Sequence, residues 1–144
     1  MPSVIVETDP PIEPPPSFSI DSAPLVYFLS FAYAARYGAQ HELTKASMLL
    51  RTGEHKIDLK PLLTFADRDI ENEADRAELD RVWQDAGPLA ECCRAVVAAI
   101  DADASVRELL AEFPALRDLI DELGRIAAEA AERGAKIRVS YTMA

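Results

Sequence analysis

The chain has 144 residues and a formal net charge of −10, with 25 acidic side chains against 15 lysines and arginines. Its length and its hydrophobic content of 49% lead us to expect one folded unit around a single core, while the negative surface repels phosphate backbones and makes nucleic acid an unexpected partner. The opening MPSVIVETDPP has neither the positive start nor the apolar run of a signal peptide, and the apolar stretch 25–35 falls well short of the roughly 20 residues that span a bilayer, so a cytoplasmic protein without a membrane partner is expected.

Seven of the ten prolines fall within the first 24 residues, with no periodic apolar pattern around them. Residues 1–23 are therefore expected to form an extended, proline-rich arm lying on a single domain, 24–144. Within the arm, Val4, Ile5 and Val6 have the residue types of a strand, which would either join the sheet of the same chain or pair across a dimer. Asp21, Ser22 and Ala23 followed by Pro24 read as a helix start, with a polar cap and a proline in the first turn. The helix that follows, over 25–39, is apolar all round at first and holds Tyr27, Phe28, Phe31, Tyr33 and Tyr37. Such a helix needs cover on most sides, from its own domain or from a second subunit.

Residues 47–59 read as a β-hairpin about a type II′ turn at Gly53-Glu54, with Leu50 opposite Ile57 and Met48 opposite Leu59 on an apolar face. Pro61 then opens a second helix that carries Leu62, Leu63, Phe65 and Ala66 into an acidic run and regains its apolar stripe at Leu79, Val82, Trp83 and Ala86. Gly87-Pro88 separates it from a third helix, whose stripe Leu89, Cys92/Cys93, Val96/Val97, Ile100 has the 3.6-residue period. Adjacent Cys92 and Cys93 do not close a relaxed disulfide with each other, and on that stripe they read as buried, unreactive thiols. Ser105 and Glu108 have capping-box spacing, Pro114 divides the helix they begin, and residues 115–133 carry a broad apolar stripe that ends at Gly134. The tail 136–143 alternates strictly, with Ile137, Val139, Tyr141 and Met143 on one face, and is expected to pair with the hairpin.

Chemistry is constrained mainly by what the residue spacing leaves out. The five glycines are all isolated, so neither a GxGxxG nor a GxxxxGK[ST] phosphate loop is present. A GxSxG nucleophile, a CxxC pair and an Glu-x-x-His motif are also lacking, and no cofactor is expected. Two local patterns remain. Residues 67–78 place oxygen ligands where the twelve-residue calcium loop of an EF-hand has them, and the stretch resembles such a loop, with Asn72 in place of the usual glycine. That resemblance implies metal ligation by Asp67, Asp69, Glu71, Glu73 and Glu78. The run 36–41, Arg-Tyr-Gly-Ala-Gln-His, resembles the Arg-x4-His spacing of HEPN-type helical ribonucleases, which implies that Arg36 and His41 act on a scissile phosphate.

The expected architecture is α+β: about four helices packed on one face of a small antiparallel sheet made of the hairpin and the C-terminal strand. The expected function is that of a non-catalytic, acidic interaction or adaptor module, a homodimer or the partner of another protein, with the acid-rich stretch 67–85 turned toward a basic surface. The alternative is a small ligand-binding or catalytic protein whose pocket lies against the aromatic first helix and uses Tyr33, Arg36, Tyr37 and His41.

Overall fold

The structure is a computed structural model that describes residues 2–33 and 41–143. In chain order its elements are β1 (Ser3–Asp9), α1 (Ala23–Tyr33), α2 (Glu42–Arg51), β2 (Phe65–Asp67), α3 (Glu73–Arg81), β3 (Trp83–Asp85), α4 (Ala86–Ala102), α5 (Ala104–Leu109), α6 (Leu116–Glu132) and β4 (Lys136–Thr142). The class is α+β, as expected, but the described residues hold six helices rather than about four.

The C-terminal strand is the centre of the sheet. Its alternating residues supply the reason: Ile137 and Val139 are buried against the helices, while Arg138 and Ser140 face the opposite side. β1 runs antiparallel along its whole length, from Ser3 opposite Thr142 to Asp9 opposite Lys136. On its other edge, β3 pairs antiparallel with residues 136–138 and β2 pairs parallel with residues 139–141. The sheet is therefore mixed, not antiparallel, because the chain leaves β2, reverses through α3 and returns as β3 beside the other half of the same strand.

The expected hairpin is absent. Residues 42–51 form α2, capped by the His41 ring, whose Nδ1 accepts a hydrogen bond from the Leu43 amide at 3.1 Å. Gly53, with φ of 62°, stands just past the helix end, since one left-handed glycine serves a helix C-terminus as well as a hairpin turn. One element of the expected register survives: the Ile57 amide donates to the Leu50 carbonyl at 2.9 Å, as the chain folds back along the helix end. The helix expected from Pro61 through residue 86 is likewise absent. That segment is divided into β2, a loop, α3 and β3, because like charges at i,i+4 spacing weaken one continuous helix while β4 offers both short segments a strand edge. α5 starts one residue before Ser105, with the Asp103 carboxylate accepting from the Ser105 and Val106 amides.

The arm is also shorter than expected. Its first part is β1, and only residues 10–22 are irregular. That segment is tied down by backbone-to-side-chain hydrogen bonds: the Val4 amide donates to Ser22 Oγ at 2.9 Å, the Ile12 amide to Thr8 Oγ1 of β1 at 3.0 Å, and the Ser19 amide to Glu122 of α6 at 2.7 Å. Ile12 is buried and Phe18 packs on the core.

α4 and α6 pack most extensively among the described helices, as their apolar stripes require. A methyl group built on Gly124 would lie 2.9 Å from Cys93 Cβ, so the crossing depends on glycine at that point. Leu89, Cys93 and Val96 meet Leu116, Leu119, Ile120 and Leu123 in one cluster that also contains Leu25, Phe28 and Leu29 of α1. α1 buries Ala23, Leu25, Val26, Phe28, Leu29 and Ala32 within its own chain and leaves Tyr27 and Tyr33 exposed. No helix among the described residues is long and apolar enough to cross a membrane.

Candidate functional site

The opposite face of the sheet carries the concentration of charge. Arg138 of β4 lies 3.0 Å from Glu7 of β1, and Arg68, just after β2, reaches the same carboxylate oxygen at 2.6 Å. The Arg138 guanidinium also lies 4.6 Å from the centre of the Trp83 ring and donates to the Leu79 carbonyl at 3.4 Å, which places α3 over this face. Partial burial alone would raise the Glu7 carboxyl; the Arg68 hydrogen bond and the charges of Arg138 and Arg68 outweigh it and hold the group below its ordinary value.

Because Arg68 turns to Glu7, its positive charge is drawn away from the carboxylates on either side of it in sequence. Asp67, Asp69, Glu71, Asp75 and Glu78 line a cleft of about 340 Å³ between the end of β2 and the start of α3. Local hydrogen bonds shape its wall. The Asp69 amide donates to Asp67 at 2.9 Å, the Glu71 amide to Asp75 at 3.0 Å, and the Asp75 amide to the side-chain oxygen of Asn72, the N-cap of α3, at 3.0 Å. Thr142 at the end of β4 donates to Asp69 at 3.1 Å and anchors the loop to the sheet. Among the described residues none of the five carboxylates is ion-paired with a lysine or arginine. Tyr141 next to them has its hydroxyl pushed up, first by burial and then by the charges of Asp67 and Asp69. In the middle of the same loop Ile70 is exposed.

Four of the five residues expected as metal ligands, Asp67, Asp69, Glu71 and Glu78, thus share one cleft, and Glu73 is not among its lining residues. Asp75 takes its place, through a signal that could have been read: Asn72 with Asp75 three residues on is a capping-box spacing, which sets a helix start at 73. The arrangement departs from an EF-hand, whose loop joins two helices, since here a strand precedes the loop and α3 begins at its seventh position. No three His, Cys, Asp or Glu side chains among the described residues are grouped to hold a metal ion.

The second candidate group is only partly described, because Arg36 and Tyr37 lie outside the described residues. Tyr33, the last described residue of α1, is exposed and meets the ring of Phe65 edge-on at 5.8 Å. His41 stacks on Phe31 at 3.8 Å and lies 6.2 Å from Phe113. The two side chains have different neighbours, and the His41 nitrogen that caps α2 is engaged as an acceptor. Both cysteines are buried on α4, as expected. Burial pushes the Cys92 thiol up to about 11, against a weaker opposing hydrogen bond at the Leu62 backbone, and burial pushes Cys93 higher still. Comparison of the chain with known protein families, with curated proteins and with solved structures found no match.

Proposed function

We propose that the protein is a non-catalytic interaction module whose acidic cleft receives a lysine- or arginine-rich segment of a partner protein. The observation that carries this reading is the set of five carboxylates around one cleft, none of them ion-paired with a lysine or arginine among the described residues, while Arg68 is committed to Glu7. A field of one sign in a concave site attracts an oppositely charged partner and speeds its arrival. Exposed Ile70 offers an apolar contact beside the charges, which suits an amphipathic basic segment over a purely ionic one.

The test is fluorescence anisotropy with a labelled peptide that alternates lysine and leucine. Binding that weakens as salt rises and is lost in the Asp67→Lys/Glu78→Lys variant supports the reading. Equal binding by the variant, or none by the native chain at low salt, removes it. Self-association is the other expectation for such a module, and native mass spectrometry at tens of micromolar measures it directly: a monomer that also recovers no partner from native lysate counts against the interaction reading as a whole.

A further inference from the structure

Where Pro114 separates α5 from α6, the chain cannot continue as one helix, and the break leaves an apolar pit of about 290 Å³. Its walls are Ile100 at the end of α4, Leu110 and Ala111 after α5, and Phe113 and Pro114 in the turn. Ile100 and Leu110 belong to the buried core, so the floor is held rigidly.

Two guanidinium groups stand at the rim, each fixed by what it binds. Arg107 donates through one nitrogen to the Ile100 and Asp101 carbonyls, at 3.1 and 2.6 Å, covering the negative end of α4. Arg117 holds the Asp101 carboxylate with two nitrogens, at 3.1 and 2.8 Å. Asp101, the one carboxylate among the residues that line the pit, is therefore paired with Arg117, and the Ile100 and Asp101 carbonyls accept from Arg107. The remaining nitrogens of Arg107 have no carboxylate partner among the described residues. α6 begins at the same wall with Ala115 in its N-cap position and no side-chain cap.

We propose that this pit binds a small free carboxylate with an apolar body, the hydrocarbon resting on Ile100, Leu110 and Phe113 and the carboxylate on the Arg107 guanidinium. The volume lies at the lower end of small-molecule sites, about 300–1,000 Å³, and suits a single aromatic ring or a short chain. This site is separate from the acidic cleft and its charge preference is opposite, so either reading can fail without the other.

The experiment is saturation-transfer NMR on the full chain with phenylacetate, and with phenylacetamide as the uncharged analogue of the same shape. Phenylacetate is expected to bind and the amide to bind at least about tenfold more weakly, the discrimination typical of a charge-assisted hydrogen bond. Arg107→Gln should remove that preference. Because Arg107 also caps α4, Ala111→Trp at the exposed mouth supplies an independent variant, expected to abolish binding of both compounds with the melting temperature retained. Absence of transfer at millimolar phenylacetate, equal binding of acid and amide, or undiminished binding by Ala111→Trp each overturns the proposal.

Discussion

Glu7 shows how much one side chain can join. It stands opposite Arg138 in the β1–β4 ladder and accepts from Arg68 beyond β2, so a single carboxylate links strands from the two ends of the chain. Its ionised form is favoured in the folded chain, below the ordinary value of 4.5. A depressed carboxylate contributes stability in full above the unfolded value, and that contribution is lost as pH falls through the lower folded value. Urea titrations at successive pH values should show the native chain weakening from about pH 4.5 downward, with Glu7→Gln less stable by about 1 kcal/mol at pH 7 and flatter on the acid side. Asp85, Asp101 and Asp103 are lowered in the same sense by their hydrogen bonds to Lys136, Arg117 and His55, so the difference between the two proteins is the informative quantity. A variant as steep in acid as the native chain would remove Glu7 from this role. The pairs Asp121/Arg125 and Glu129/Arg133, at 3.2 and 3.0 Å, are local by contrast, because i,i+4 spacing sets both partners on one helix face.

At the scale of elements, long periodic segments were legible and short ones were not. α4, α6 and β4 follow their apolar periods closely, since each presents a repeated pattern whose burial outweighs local preference. The segment 47–59 illustrates the other case: its alternation over a few residues fits a strand, yet Leu43, Ala46 and Leu50 also share one helix face, and all three are buried in α2. Gly53 did not decide between them, because both solutions use a left-handed glycine. Gly124 carries a sharper consequence. Alanine is favoured over glycine in a helix by about 1 kcal/mol, but here its methyl group would meet Cys93 Cβ, an atom fixed to the facing backbone. Forcing the α4–α6 pair apart costs about 1–3 kcal/mol, so Gly124→Ala is expected to lower the melting temperature by a few degrees. An unchanged or higher melting temperature would show that the helices separate freely.

For the whole molecule, the C-terminal strand has the largest share in the architecture. β1, β2 and β3 all pair with β4 and with no other strand among the described residues, so a chain ending before Lys136 leaves three strands without a partner and uncovers the side of the core that Ile137 and Val139 close. Such a truncation should lose its cooperative urea transition while keeping part of its helical circular dichroism; a sharp transition near the native midpoint would contradict the central place of β4. The acidic cleft also exists only at this scale. Its carboxylates all lie between positions 67 and 78, and their abundance was plain in the sequence, but their exposure depends on Arg68 reaching across the sheet to Glu7, 61 positions away.

The sequence by itself determined the α+β class, the major helices of the C-terminal half, the buried cysteines and the excess of negative charge. Each is set by composition or by a period repeated within one segment. Tertiary structure alone decided that the sheet is mixed, that residues 42–51 are helical, and that the acidic run is shared among a strand, a loop, a helix and a second strand. Those outcomes depend on which distant edge is available for pairing: β4, the last element in the chain, offers two edges, and three short segments spread over the preceding residues fit them better than they would any partner nearer in sequence.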